Sequence, residues 1–552
     1  MQEHFMNPKT NDISKMIELI ENLHDRVSRD IDVQAPRVAG EGSFSYLDEL
    51  KNSSIPADTQ SVETVFEELA GFFKGAVRWN HDKTMINITP PPSIAALAAN
   101  AYATMYNPNF AQDQVTGGLA KAELLVNKYI SDMVGWNWKL SHGVFTFGGK
   151  ATNLYGVKVG LTKSYAAASK EGVKGDPFTI TTIQGHPCHT EVCDWLGIGK
   201  QNSVKVPVDH MGRMDVPAVE RIISENLDKG RRLACITVNC GTTIQMTVDP
   251  IKEVAEMRDR LVHKYNLDYI PHIHADSVIG WSWLFFKNYD FERNVLDLEE
   301  NVLLKIKNMA RMVAELEYVD SLGVDFHKTG FCPYVSSLFL VKNSSDLYNL
   351  GNMKAIPIED FEYGNYSPFQ YSLELSRAAT GPITAWVNLQ LFGYTGYQKL
   401  LSQLISVGDY TKELLNQDRQ FEVINNDTEG WVTIFMIKEH ESTYKFDDIS
   451  NMDAETARHI ASYNYNFYLY LLEKQHENTC SFAFDYTSGY DNSKKGISIG
   501  VFKIYAISPY ATKASIVSMI DELTMLKKEY DEIHRHYQPN VVLYKPKAFV
   551  FR

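Results

Sequence analysis

The stretch from Gly185 to Gly199, GHPCHTEVCDWLGIG, holds two histidines and two cysteines within eight positions. These are His186, Cys188, His189 and Cys193, and their side chains are ones that zinc prefers. Zinc ligands usually come as Cys-x2-Cys and His-x3-His pairs, whereas here Pro187 directly follows His186 and the sequence has no second ligand cluster. We therefore predict no metal site and expect one reactive histidine among bystanders.

Three other stretches contain residues suited to chemistry. Gly148 and Gly149 precede an apolar helical segment, where glycines and a helix N-terminus favour a bound anion. Asp276 ends an apolar run in YIPHIHADS, where a carboxylate needs a cationic partner to stay ionised. Lys328, in DSLGVDFHKTGFCPY, has apolar neighbours, and a desolvated lysine with a lowered pKa is suited to form a Schiff base.

Each of these stretches alone has an ordinary structural explanation, as a turn, a cap or a buried lysine. Together with His186 they supply a phosphate cradle, a histidine that stacks on a ring, a carboxylate for a pyridinium nitrogen and a Schiff-base lysine. Pyridoxal 5′-phosphate (PLP) requires these parts. The sequence therefore predicts a PLP site.

The elements that must position these residues follow from the hydrophobic pattern. Residues 1–95 read as a helical segment that ends near TPPPS, since successive prolines stop a helix. Over 96–395, strand-like runs such as FTITTI, RLACITVN and SSLFLV alternate with amphipathic segments, which predicts a doubly wound α/β domain with a mainly parallel sheet. Residues 396–552 predict a small α+β domain. Chemistry in such sheets gathers at the carboxyl ends of strands.

Composition narrows the class of protein. The 552 residues carry a net charge of −14, which argues against nucleic-acid binding. No run approaches the roughly 20 apolar residues of a membrane span. The N-terminus shows no apolar signal core, and six cysteines in so long a chain do not make a disulfide framework. We expect a cytoplasmic protein without membrane or nucleic-acid partners.

The sequence resembles the PLP-dependent group II amino-acid decarboxylases, which include the glutamate, aromatic-L-amino-acid and bacterial tyrosine decarboxylases. The matching motifs are HPCHTEVCDWLGIG, HADS, FHK and GTT, and the similarity runs from about residue 60 to the C-terminus. NAYATMYNPN, VPVDHMGRMDV, HKTGFCPY and FGYTGYQKL look most similar to the bacterial tyrosine decarboxylases. The resemblance implies a large domain of the aspartate-aminotransferase type (fold type I).

The resemblance also implies the site. Lys328, His186 and Asp276 would be catalytic: Lys328 would form the Schiff base, His186 would stack on the ring and Asp276 would pair with its nitrogen. The implied cofactor-binding residues are Gly148, Gly149, Lys150, Asn153, His186, Thr242, Thr243, Asp276, Ser277, His327 and Lys328. Substrate contacts are expected from Tyr348, Tyr363 or Tyr366, on a loop of about residues 344–368, and from Arg377, for which a structural salt bridge is the alternative.

Three positions depart from the family pattern. Lys150 in GGKATN replaces a phosphate-binding hydroxyl, Cys188 replaces a serine, and Phe326 stands where a proline or asparagine is usual. Lys150 can still hold a phosphate as a point charge, which we predict.

The function that follows is removal of the α-carboxylate of an L-amino acid, most readily an aromatic one, in a homodimer with the site near the subunit interface. Glutamate or an aliphatic amino acid is the alternative substrate. An aldehyde synthase or lyase, or a non-catalytic binding protein with a PLP fold, are the alternative functions.

Overall fold

In the computed structural model, residues 4–539 are described except for 8, 11, 30, 39–45, 441 and 493–496. Parts of the predicted first and third domains, including residues 540–552, thus lie outside the described residues. The α-helices are α1 Ser14–Ser28, α2 Tyr46–Asn52, α3 Val62–Gly71, α4 Ile94–Met105, α5 Asp113–Thr116, α6 Ala120–Val134, α7 Gly149–Ser164, α8 Ala168–Glu171, α9 Cys188–Trp195, α10 Val216–Leu227, α11 Ile251–Tyr265, α12 Glu300–Ala314, α13 Ser344–Tyr348, α14 Thr380–Gln417, α15 Ala454–His476 and α16 Lys513–Ile533. The strands are β1 Thr84–Met85, β2 His142–Thr146, β3 Pro177–Thr182, β4 Ser203–Val206, β5 Arg232–Asn239, β6 His272–Asp276, β7 Ser321–Asp325, β8 Ser337–Val341, β9 Phe421–Val423, β10 Val432–Ile437, β11 Ala483–Asn492 and β12 Ser498–Tyr505.

A seven-stranded sheet forms the centre, in the order β2-β8-β7-β6-β5-β3-β4. The pairs from β7 to β4 are parallel, whereas β8 runs antiparallel to both β2 and β7. Every residue of β2, β3, β6, β7 and β8 is buried, as expected for a sheet covered on both faces. Because β2 points the same way as the parallel strands, the carboxyl ends of β2, β3, β5, β6 and β7 meet at one edge.

Helix α7 lies against this sheet at unusually close range. A Cβ atom on Gly156 would come within 2.3 Å of the His274 ring on β6, and one on Gly160 within 2.4 Å of the Ala234 carbonyl on β5. Both positions therefore need glycine to let the helix pack against the strands. The close packing fixes the N-terminus of α7 at the edge where the strands end.

The second sheet has the order β1-β11-β12-β10-β9 and packs with α15 and α16. Its outer strand β1 comes from the N-terminal segment and pairs in parallel with Ala483–Phe484 of β11. Helix α14 connects the two sheets and is interrupted at Gly393, whose φ of 53° lies in the left-handed region. This interruption falls two residues before the boundary predicted at residue 395, and the boundaries themselves stay predictions.

Candidate active site

A cavity of about 310 Å³ opens at the edge where the parallel strands end. Ten of the eleven predicted cofactor-binding residues line it: Gly148, Gly149, Lys150, Asn153, His186, Thr242, Thr243, Asp276, His327 and Lys328. Ser277 is buried outside the lining and donates to the Gly323 carbonyl at 2.6 Å. The structure thus brings together residues that are up to 180 positions apart in the sequence, and their roles stay predictions.

Lys328 lies in an ion pair that the sequence analysis missed. Its Nζ is 2.9 Å from Oδ2 of Asp325, the last residue of β7, and Ser337 donates to the other oxygen of Asp325 at 2.6 Å. Burial opposes a charge on Lys328, but Asp325, with a smaller effect of Asp276, raises its pKa above the usual value. The expectation of a lowered lysine pKa is therefore wrong for this chain, because two carboxylates outweigh the desolvation. The sequence does carry a signal for this ion pair: Asp325 ends an apolar run three positions before Lys328.

Asp276 ends β6 and is buried at the base of the cavity. Its Oδ2 accepts from Nδ2 of Asn153 at 3.1 Å and lies 2.8 Å from Nε2 of His189. Its Oδ1 is also buried and has no hydrogen-bond partner among the residues that the structure describes. A buried carboxylate oxygen without a donor is costly, so a ligand with an N–H group at this point would satisfy it.

His189 and Cys188 are not the bystanders that the sequence analysis expected. His189 contacts Asp276 directly, and Cys188 is part of the cavity lining. The spacing in the sequence does not reveal these contacts, because they depend on how α9 packs; the helix presents its first turn to β6. The ligand atoms of Cys188, His189 and Asp276 lie within 4.8 Å of one another, so they are near enough to share an ion.

The N-terminus of α7 forms the opposite wall. Gly148 precedes it with φ 126°, a conformation that favours glycine, and the helix runs for sixteen residues. Backbone N–H groups in its first turn have no helical partner and favour an anion such as a phosphate. The Lys150 ammonium pairs with Glu191 and lies 5.5 Å from the centre of the Trp195 ring.

The structure places the predicted substrate residues away from the cavity. Among the described residues, Tyr348, Tyr363 and Arg377 do not belong to its lining. Tyr348 is buried against the His142 ring, at the start of β2, and Tyr363 is 76% exposed. Arg377 forms a buried ion pair with Glu123 at 3.0 Å, which is the structural alternative that the sequence left open.

Tyr366, near the end of that loop, is also absent from the residues that line the cavity. Tyr366 is buried and its ring lies 6.1 Å from that of His142. The tyrosine that does line the cavity is Tyr334, whose ring lies 4.0 Å from that of His327. Tyr334 belongs to HKTGFCPY, so its nearness to Lys328 in the sequence was a signal for this position.

The residues of the cavity fit PLP. Asp276 offers an unpaired oxygen for a ring nitrogen, Lys328 offers an amine, and α7 offers a helix N-terminus for a phosphate. The sheet, its strand order and this cavity define the class of PLP-dependent proteins with fold type I.

The comparison with known protein families agrees with this class. Residues 45–291 and 302–438 match the model of the pyridoxal-dependent decarboxylase conserved domain. The chain therefore belongs to the family of pyridoxal-dependent decarboxylases, and PLP is its cofactor. The family and the fold expected from the sequence are confirmed.

Individual relatives are distant. The acidic amino acid decarboxylase GADL1 of Bos taurus is 22% identical over 355 residues, which cover 63% of this chain and 62% of the relative. The alignment thus spans less than two thirds of that relative's length. The solved structure of mouse CSAD has a TM-score of 0.74 at 17% identity and covers 93% of this chain and 99% of its own.

Two further solved structures of enzymes are similar to this chain. Catharanthus roseus tryptophan decarboxylase in complex with L-tryptophan has a TM-score of 0.71 at 14% identity, covering 93% of this chain and 97% of its own. Rhodiola rosea 4-hydroxyphenylacetaldehyde synthase has a TM-score of 0.69 at 13% identity, covering 94% and 99%. At these identities the likeness shows the fold alone.

Among the helices that the structure describes, none has the length and the apolar character that crossing a membrane requires.

Proposed function

We propose that this chain removes the α-carboxylate of an L-amino acid in the cavity, giving carbon dioxide and an amine. One observation carries the proposal: Lys328, an unpaired oxygen of Asp276 and the N-terminus of α7 all face one cavity of about 310 Å³. Bound PLP supplies the electron sink that decarboxylation requires.

The chain's own residues then have defined tasks. Asp325, at 2.9 Å, holds the proton of the Lys328 ammonium and accepts it when the amine is needed as a nucleophile. Asp276 would pair with the ring nitrogen through Oδ1, where an anion would keep that nitrogen protonated. His186, whose Nδ1 accepts from the Cys188 backbone at 3.2 Å, would stack on the ring and orient the substrate carboxylate.

An aromatic amino acid is the proposed substrate class. Phe147, Tyr334 and Val335 give the cavity an apolar and aromatic wall. Of the two lysines of the lining, Lys328 has the carboxylate of Asp325 as its partner and Lys150 is proposed below to hold the phosphate, so neither is set aside for an acidic substrate side chain. The motifs that resemble bacterial tyrosine decarboxylases support this choice, whereas the similarity to GADL1, an acidic amino acid decarboxylase, gives an acidic substrate as the alternative.

The experiment is a panel of the twenty amino acids, with the amine read by mass spectrometry and carbon dioxide and hydrogen peroxide measured in parallel. We expect the purified protein to be yellow, to bleach with borohydride, and to form the amine of an aromatic amino acid, with Lys328→Ala inactive. Peroxide and aldehyde in place of the amine would indicate an aldehyde synthase. No carbon dioxide from any of the twenty would contradict the proposal and indicate a binding protein.

Lys150 is proposed to hold the phosphate with the N-terminus of α7. The Lys150 ammonium lines the cavity and is free to turn from Glu191, since both side chains are nearly half exposed. We expect Lys150→Ala to weaken PLP retention several-fold, measured as the PLP dissociation constant. Glu191→Gln is the matched control and should leave retention unchanged or tighter; equal constants for Lys150→Ala and the wild type would count against the role.

A homodimer and a cytoplasmic location complete the proposal. Phe147, Tyr334 and Val335 are 54%, 56% and 45% exposed although they line the cavity, which supports a second copy that covers them. All six cysteines are free thiols, as is common in a reducing compartment.

A further inference from the structure

Asp276 is held from the protein side by one of its two oxygens. Oδ2 accepts from Asn153 at 3.1 Å and contacts Nε2 of His189 at 2.8 Å, while Oδ1 stays without a protein partner in the described part of the chain. Oδ2 therefore anchors the carboxylate to the protein, and Oδ1 is left for a ligand. His189 is the only one of these two donors that can also carry a charge.

His189 is itself fixed by a third element. The residue is 3% exposed, and its Nδ1 lies 2.7 Å from Oγ1 of Thr181 on β3. When the Thr181 hydroxyl donates to Nδ1, the neutral imidazole must carry its proton on Nε2, facing Asp276. Gly185 makes room for this arrangement, because a Cβ there would lie 2.6 Å from Oγ1 of Thr181 and 2.8 Å from Nδ1 of His189.

We propose that His189 is a positioning residue for the cofactor: the chain Thr181–His189–Asp276 keeps Asp276 an anion whose Oδ1 is available to the PLP ring nitrogen. The inference rests on the proposed function, since it needs PLP in this cavity. His189 has no other role in the decarboxylation proposed above.

The electrostatics of the site explain why Asp276 needs the hydrogen bond from His189 to stay ionised. Burial alone would raise the pKa of Asp276, and a neutral acid would leave the ring nitrogen without its counter-charge. The hydrogen bond that His189 donates, with smaller effects of the nearby Lys328 and His186, instead holds this pKa well below its usual range. The amide of Asn153 adds one neutral donor only.

The other titratable groups that act on Asp276, or are acted on by it, are His186, Lys328, His274, Cys188 and Cys240. A pH profile of activity would mix their contributions. The measurement must therefore report on the ring nitrogen itself and on PLP binding.

The test uses His189→Leu, which removes both ring nitrogens, and His189→Gln, which keeps an N–H donor within reach of Asp276. Each apoenzyme is titrated with PLP labelled with ¹⁵N in the ring, and the ¹⁵N chemical shift, the PLP dissociation constant, kcat and KM are measured. For His189→Leu we expect a dissociation constant about tenfold or more higher, since a hydrogen bond to a charged group is lost. We also expect the ¹⁵N resonance to move toward the unprotonated position and kcat to fall with little change in KM.

His189→Gln should recover most of the ¹⁵N shift and of PLP binding, a rescue that a merely space-filling role would not give. Thr181→Val removes the hydroxyl beside Nδ1 of His189. Its ¹⁵N shift and its PLP dissociation constant should lie between those of the wild type and of His189→Leu. His142→Leu is the matched control, because His142 is similarly buried and its Nε2 lies 2.7 Å from the hydroxyl of Tyr371 instead of beside Asp276. It should leave the ¹⁵N shift unchanged.

A His189→Leu protein with the wild-type ¹⁵N shift and dissociation constant would overturn the inference and leave the proposed function standing. If His189→Leu fails to fold, Thr181→Val decides, and a wild-type resonance in that variant overturns the inference equally. A wild-type protein that binds no PLP would instead contradict the proposed function.

Discussion

At the scale of single residues, Asp325 has the most direct effect on the reactive amine. Its carboxylate raises the pKa of Lys328, so the neutral amine needed for bond formation is scarce at neutral pH. An opposite charge at this distance shifts a pKa by about 1–3 units.

We therefore expect Asp325→Asn to lower the pH at which the apoenzyme captures PLP by about one unit or more. This midpoint falls because the substitution removes the carboxylate that favours the charged form of Lys328. The measurement is the visible absorbance of bound PLP after mixing at a series of pH values. Asp320→Asn is the control, because Asp320 lies beside the opposite end of β7 and pairs with Arg258. An unchanged midpoint for Asp325→Asn would show that Asp325 does not control Lys328.

The residues of the site were predictable to the extent that they sit in local motifs. Asp276 and Lys328 each follow an apolar run, so the rule that chemistry gathers at strand ends selected them. The contact between His189 and Asp276 was not predictable, since it joins α9 to β6 across 87 positions and depends on how β3 carries α9. For Arg377 the local motif was not enough: it suggested a substrate contact, whereas the structure places the arginine in a buried ion pair with Glu123.

At the scale of elements, the alternation of strands and helices predicted the mainly parallel sheet. The direction of β8 was not predicted. Residues 326–336 connect β7 to β8, and so short a segment cannot make the crossover of a dozen or more residues that a parallel pair needs. The antiparallel return of β8 is therefore the consequence of a short connection, and that connection is the one that holds Lys328.

Helix α14 contains a buried lysine with a separate effect on stability. Nζ of Lys412 donates to the carbonyl and hydroxyl of Thr428, both at 3.1 Å, and burial, together with the charge of Lys305, lowers its pKa to about 7. Between about pH 7 and the unfolded value near 10.4, the unfolded state binds a proton that the folded state does not. The free energy of unfolding should therefore rise with pH in this window, by at most about 1.4 kcal/mol per pH unit from this group.

Lys412→Met should remove this contribution, so that the difference in unfolding free energy between the variant and the wild type changes steadily from pH 7 to pH 9. Urea unfolding at several pH values measures it. Lys399→Met, at an exposed position of the same helix, should keep the wild-type slope. Identical slopes for Lys412→Met and the wild type would mean that Lys412 is charged in the folded state at pH 7–9.

At the scale of the whole molecule, the chain buries its sheets but leaves apolar side chains exposed on α4 and at the cavity. Ile94 and Leu97 on α4 are 85% and 46% exposed, although the same helix packs closely against α14. Exposed apolar groups that cluster on a surface are typical of a site that another protein covers. A second copy of the chain is the proposed occupant, and it would also close the exposed side of the cavity.

Ile94→Asp places a charge on this surface, and a charge buried without a partner in an interface is strongly unfavourable. We expect light scattering after gel filtration to show a shift from dimer to monomer, together with a loss of PLP retention and of amine formation, because the cavity loses its cover. Leu304→Asp, at a 57% exposed position of α12, is the matched control and should stay dimeric and active. A monomeric wild type would contradict the proposed homodimer. An Ile94→Asp variant that is dimeric and fully active would place the subunit contact elsewhere on the surface.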